Sequence, residues 1–150
     1  MDFYIDRGKV ADANILATFQ VDMALESEGK SINYNVVLKG VTTALEDENN
    51  GLYFVVRNFQ DFPIGSLLVT KEWSDWTNSW YWWIQSVYIE PKYRGKGLYS
   101  LLYNQVKCIA KDNGVHCLKL YVDHDNLNGQ RIYEKLGMHR NHYVIYEAEL

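Results

Sequence analysis

The sequence predicts a single α/β (α+β) domain, and three observations carry that expectation. Across residues 84–106 the apolar period changes from two to about 3.6 over a short basic glycine loop, so a strand gives way to a helix. Two short apolar runs, residues 52–56 and 64–70, flank a turn at 59–63 and read as a hairpin. Strand-length runs and helical stripes then follow one another in the order β-α-α-β-β-β-α-β-α-β, with no internal repeat and no low-complexity linker.

Residues 2–6 form the first expected strand, with Phe3 and Ile5 opposite Tyr4, and Gly8 ends it. Asp12 is placed to cap a helix whose inner face is Ile15, Leu16, Phe19, Met23 and Leu25, ending near Gly29. A second helix over 33–47 carries Tyr34, Val37, Leu38, Val41 and Leu45 at helical spacing. Asn49-Asn50-Gly51 is a turn signal before the hairpin. The segment from Trp73 to Trp80 leads into the central strand, where Trp80, Trp82 and Ile84 share one face. Tyr81 and Trp83 share the other; further on, Val87 and Ile89 oppose Ser86 and Tyr88. Pro91 stops that strand because proline cannot donate to a ladder. Leu98, Leu101, Leu102, Val106, Ile109 and Ala110 make one stripe of a long helix. A strand over 116–122, a helix over 127–136 stopped by Gly137, and a last strand over 143–150 complete the chain.

Composition narrows the class. A chain of 150 residues is one domain's length and buries about 68–70% of its unfolded surface. Its 47% apolar and 23% charged content is globular. The net charge of −4 gives no general attraction to nucleic acid, so the local cluster Lys92, Arg94 and Lys96 stands out against an acidic background. Cys108 and Cys117 have no disulfide or CxxC spacing and read as buried, reduced thiols. No apolar run reaches membrane-span length and the first ten residues hold no signal-peptide core, so no membrane association and a cytoplasmic location are expected. His139 and His142 stand three apart and His116 and His124 alone, which gives no metal-ligand spacing, and no metal is expected.

The chemistry concentrates in Arg94-Gly95-Lys96-Gly97, between the central strand and the long helix. The free N–H groups of a helix start attract an anion. Glycine lets a ligand approach the backbone with no Cβ in the way. The loop therefore reads as a phosphate seat. The GxxxxGK[ST] spacing of a nucleotide P-loop is absent, and a GxGxxG fingerprint fails at Ser100.

A strand V-x-I, a proline, and Arg94-x-x-Gly97-x opening an amphipathic helix resemble the acetyl-CoA-binding motif of the GCN5-related N-acetyltransferases, the GNAT family. Asn126, Tyr133, Gly137 and Met138 resemble its other signature, N-(x6)-Y-(x3)-G-[FM], at the family's spacing. The resemblance implies a mixed, mostly antiparallel, twisted sheet with helices on both faces. It implies acetyl-CoA as cosubstrate and transfer of acetyl to a primary amine by direct attack. Gly95, Lys96, Gly97 and Leu98 would hold the diphosphate with Arg94. The backbone of Val87, Tyr88 and Ile89 would bond the pantetheine arm where the sheet splays, Asn126 would touch the cofactor, and Tyr133 would be the general acid. The family usually has a small residue where Tyr99 stands, so Tyr99 is carried as a cofactor contact that could crowd the diphosphate.

The general base is not legible: Gln85, Glu90, Glu72, Asp75, Asp22, Glu26 and Glu28 are all at hand and none is singled out. For the acceptor, Glu26 and Glu28 at the end of the first helix and Trp83 in the tryptophan cluster suggest a cationic amine. Two other readings remain: a CoA-binding sensor or interaction module that keeps the cleft without transfer, and an acidic interaction domain docking through its tryptophans. Homodimers are common in such enzymes, and the sequence leaves that choice open.

Overall fold

A computed structural model describes residues 3–150, so Asp2 of the first expected strand lies outside the described residues. The elements are β1 (Phe3–Arg7), α1 (Ala13–Glu28), α2 (Tyr34–Glu46), β2 (Leu52–Asn58), β3 (Pro63–Ser74), β4 (Ser79–Ile89), α3 (Leu98–Asp112), β5 (Cys117–Leu120) and α4 (Leu127–Lys135), with 3-10 turns at Val10–Asp12 and Pro91–Tyr93. One five-stranded sheet runs in the order β1-β2-β3-β4-β5. Its pairs are antiparallel up to β4, and β4 with β5 is parallel.

The two faces of the sheet are covered by different helices. Phe54, Leu67, Val69, Trp82 and Ile84 pack with Leu98, Leu102 and Val106 of α3. Tyr53, Val55 and Tyr88 pack with Leu16, Phe19 and Val41 of α1 and α2. β2 is buried along its whole length, which is why its sequence has no polar alternation. Gly29 ends α1 in the left-handed conformation. The Asn33 side chain caps α2 by accepting from the backbone N–H groups of Asn35 and Val36.

Several expectations need correction. Asp12 precedes α1 without capping it through its side chain. That carboxylate accepts from Lys9 N and from both Nη atoms of Arg57, at 3.0 and 2.7 Å, in a buried ion pair. Leu25 lies on the outer face of α1 and is exposed. Cys108 and Cys117 are both exposed and unpaired, because they fall beside the apolar stripe of α3 and at the start of an edge strand. Half of the segment 73–80 is strand: β3 continues to Ser74, β4 starts at Ser79, and a four-residue turn joins them. Residues 143–150 form no strand and are exposed throughout.

Candidate active site

β4 and β5 pair only from Tyr81↔Cys117 to Ile84↔Leu120. Beyond that point β4 keeps its pairing with β3, and a cleft of about 660 Å³ opens on its other side. A bulge marks the same place. Leu68 faces Ser86 and Val69 faces Ile84, so Gln85 is an extra residue in β4. A bulge of this kind bends and twists its strand, here where the two parallel strands part.

Gln85, Ser86 and Val87 form one wall of the cleft, and Tyr121, Asp123, Asn126 and Tyr133 the opposite one. Tyr99, in the first turn of α3, and Met23, Glu26, Ser27 and Glu28, at the end of α1, close it. A second pocket of about 230 Å³ lies between Trp73, Trp76, Tyr81, Lys119 and Tyr143 and holds none of the motif residues. The larger cleft is therefore the site.

The loop entering α3 has the expected geometry. Gly95 and Gly97 both have φ of +75°, and a Cβ at either would meet nothing within 4 Å. Glycine is demanded there by the backbone angle, with open space in front of it. The first N–H groups of α3 have no acceptor within the helix, and Tyr99 in that turn lines the cleft.

Arg94 is not a free cation. Its Nη1 and Nη2 donate to Glu26 Oε1 and Oε2 at 2.5 and 2.7 Å, and its Nε donates to the Ile89 carbonyl at 2.8 Å. The guanidinium also lies over the Tyr88 ring, 5.5 Å from its centre. The hydrogen bonds from Arg94 hold the Glu26 carboxyl below the usual carboxylate range. Arg94 and Glu26, assigned by sequence to opposite ends of the ligand, thus clamp α1 to the loop. The Ile89 carbonyl is likewise spent on Arg94. Lys92 pairs with Glu90 at 3.4 Å, and Lys96 lies over the rings of Phe3 and Tyr93. Glu28 pairs with Lys30 at 3.2 Å.

Tyr88 is buried against Phe19, so its backbone alone remains for a ligand; burial, then Asp22 and Glu26, raise its phenol. Tyr99 and Tyr133 face each other with ring centres 5.9 Å apart. The Tyr99 hydroxyl is buried without a hydrogen-bond partner, and burial followed by the nearby Tyr133 pushes its pKa far up. The ring of Tyr99 thus packs towards Tyr133 and lines the cleft. Asn126 begins α4, where its side chain accepts from Gly129 N at 2.9 Å.

Trp83 does not line the cleft. It stacks on Tyr121, ring centres 4.5 Å apart, and Tyr121 is the wall residue. The one potential metal-holding group among the described residues is Asp123, His124 and Asp125, all exposed. His124 Nδ1 lies 3.2 Å from Asp123, which with Asp125 raises the imidazole pKa. Sequence reading missed the Gln85 bulge and the Arg94–Glu26 clamp. The bulge was visible as a parity change, since core residues fall at 82 and 84, then at 87 and 89. The clamp joins residues 68 apart, and no local pattern encodes it.

The family model described as acetyltransferase (GNAT) family matches residues 22–138. The structure resembles that of a possible acetyltransferase from Clostridium difficile 630, with 38% identity, a TM-score of 0.95 and coverage of 100% of this chain and 99% of that one. It also resembles a ribosomal-protein-alanine N-acetyltransferase from Brucella melitensis biovar Abortus 2308, at 16% identity and TM-score 0.77, covering 99% of each chain. A third is the aminoglycoside N-acetyltransferase AAC(6')-Iy in complex with CoA, at 13% identity and TM-score 0.80, covering 98% of this chain and 94% of that one. At those last two identities the likeness is one of fold. Comparison with curated proteins gives no match. A family model spanning most of the chain, over a sheet that parts beside a glycine-capped helix, places this protein in the GNAT acetyltransferase family.

Proposed function

We propose that the protein transfers acetyl from acetyl-CoA to the primary amine of a cationic acceptor, by direct attack and with Tyr133 as general acid. The observation that carries this is the cleft itself: one space is bounded by the start of α3, the unpaired edge of β4 and the phenol of Tyr133. The residues fit the cosubstrate. The amides of Gly95, Lys96, Gly97 and Leu98 suit a diphosphate at a helix start. The free edge of β4 at Val87 suits an extended arm with amide groups, bound as an added strand would be. Acetyl-CoA supplies the thioester when bound.

Tyr133 gives its phenolic proton to the departing thiolate and regains one from solvent. A phenol suits this because it remains protonated at neutral pH. The amine must arrive neutral and lose one proton after attack; no side chain here is assigned to take it. Asp123 and Asp125 place carboxylates on the cleft wall, which favours a cationic acceptor. Glu26 contributes through its clamp on Arg94.

Calorimetric titration with acetyl-CoA is the first test, repeated on Gly97→Trp, which fills the space before the helix start. Saturable binding to the wild type that the substitution abolishes is expected. Thiol release over a set of amines, with Tyr133→Phe as control, then identifies the acceptor class. Absence of binding to the wild type overturns the reading. Binding without release for any amine favours the cofactor-sensing alternative.

A further inference from the structure

Tyr99 is the cleft residue that packing explains least. It stands in the first turn of α3, lines the cleft, and faces Tyr133 of α4 across 5.9 Å between ring centres. Its ring has an ordinary place, packed on the core that Leu136 and Met138 also reach. Its hydroxyl does not. That oxygen is buried and has no hydrogen-bond partner among the described residues. A phenylalanine would fill the same space without burying an unpaired polar group, which is unfavourable. An orphan of this kind calls for a partner that the resting protein does not supply.

The surroundings restrict that partner. Solvent does not reach the Tyr99 oxygen, so the partner is a group already beside it. The titratable groups on this side are Tyr103, one turn further along α3, and Tyr133 on α4. Asp123 and Asp125 stand on the cleft wall, and Glu28 and the Arg94-bound Glu26 at the end of α1. Tyr133 raises the Tyr99 phenol by charge and by hydrogen bonding, Tyr103 by charge alone. The Tyr99 and Tyr133 hydroxyls are thus neighbours that form no well-aligned bond at rest. With burial adding to this, Tyr99 keeps its proton and remains a donor. A neutral Tyr133 makes little demand on such a donor. A Tyr133 oxygen that has just lost its proton makes a strong one.

We propose that Tyr99 is a positioning residue of the transfer, its hydroxyl donating a hydrogen bond to the Tyr133 oxygen as that oxygen gives up its proton. This rests on Tyr133 as the general acid. The Tyr133 O–H bond breaks, an S–H bond forms on the departing thiolate, and the electron pair stays on the phenolate oxygen. Tyr99 retains its own proton throughout, and solvent returns one to Tyr133 afterwards. The acetylated amine loses its extra proton to solvent, so amine and thioester give amide and thiol. A hydrogen bond to an ionised acceptor is roughly twice as strong as one between neutral groups. Because the charge exists only as the thiolate leaves, the bond favours the transition state over the bound substrate. α4 has no buried residue, so the ring contact with Tyr99 also holds the Tyr133 phenol in place.

Thiol release is measured with acetyl-CoA and the amine that reacts fastest in the screen above, for wild type, Tyr99→Phe, Tyr133→Phe and the double variant. Tyr99→Phe is expected to lower kcat about ten- to a hundredfold, the effect of losing a hydrogen bond to a charged group, with KM for acetyl-CoA little changed. The basic limb of its kcat–pH profile is expected to move to higher pH, which a loss of packing would not produce. The surrounding carboxylates titrate far below that limb, and Tyr103 is common to every variant. In the Tyr133→Phe background the same substitution is expected to change nothing further, because its partner is gone. An undiminished kcat in Tyr99→Phe, an unmoved basic limb, or an equal loss in both backgrounds overturns the proposal and leaves the general-acid reading standing. A Tyr133→Phe variant as fast as wild type, or a wild type that releases thiol with no amine, overturns that reading and this proposal with it.

Discussion

At the residue scale, the proposed chemistry of the cleft rests on single backbone angles and single hydroxyls. Gly97 has φ of +75° with nothing within 4 Å of an added Cβ, so Gly97→Ala meets only the left-handed strain of about 1–2 kcal/mol. A urea titration is expected to show that loss, and calorimetry a weaker grip on acetyl-CoA. Tyr133→Phe keeps the ring and removes the proposed general acid. The expectation is a fall in kcat of about 10²–10⁴-fold, the range of general acid catalysis, with acetyl-CoA binding retained; equal loss of binding would make Tyr133 a packing residue. Tyr99 behaves differently, because its buried hydroxyl has no partner. An unsatisfied buried hydroxyl costs about 1–3 kcal/mol, so Tyr99→Phe is expected to leave the ligand-free protein as stable or more stable in urea. A clear loss would mean the hydroxyl is bonded through water to its neighbours.

Between elements, the buried pair Asp12–Arg57 fixes the turn before α1 to β2, with Asp6 of β1 completing it through Arg57 Nε at 2.7 Å. Burial alone would raise the Asp12 pKa, but hydrogen bonds from Arg57 and Lys9 outweigh it, and the carboxyl sits below its ordinary value. The sign follows. A depressed carboxyl adds stability above its unfolded pKa of about 3.9, and that stability is lost as pH falls through the lower folded value. Asp12→Asn is expected to cost about 3 kcal/mol at neutral pH by leaving Arg57 short of a partner. In strong acid the gap to wild type is expected to narrow. An unchanged gap at low pH would remove the titration argument. Sequence legibility follows the same division between local and distant causes. The helices and the sheet hairpins were legible because their apolar periods are local, and the α3 entry because both glycines sit in one short loop. Asp12 read as a cap because the sequence hides that its partner lies 45 residues away in β2. Glu26 read as an acceptor contact for the same reason, and Trp83 because strand parity cannot tell a cleft wall from the residue stacked behind it.

At the scale of the whole molecule, burial is uneven, and that sets where the protein opens. The core is built from β1–β4 with α1–α3, and its last fully buried side chain is Ala110. Residues 117–136 supply one wall of the cleft, yet their apolar side chains are at best half-buried. Regions with few buried contacts open locally at low free-energy cost. Slow hydrogen exchange is therefore expected in β2 and β3, and faster exchange in β5 and α4. A ligand that binds only the closed cleft stabilises it by mass action, about 2.7 kcal/mol at a hundredfold excess over Kd. That slows local opening by up to about a hundredfold. With acetyl-CoA present, the added protection is expected at residues 95–101 and 118–133, the two sides joined through the cleft, with little change in β2. Protection confined to the α3 start would mean that the cofactor holds the loop without reaching Tyr133, and would separate cofactor binding from catalysis in this fold.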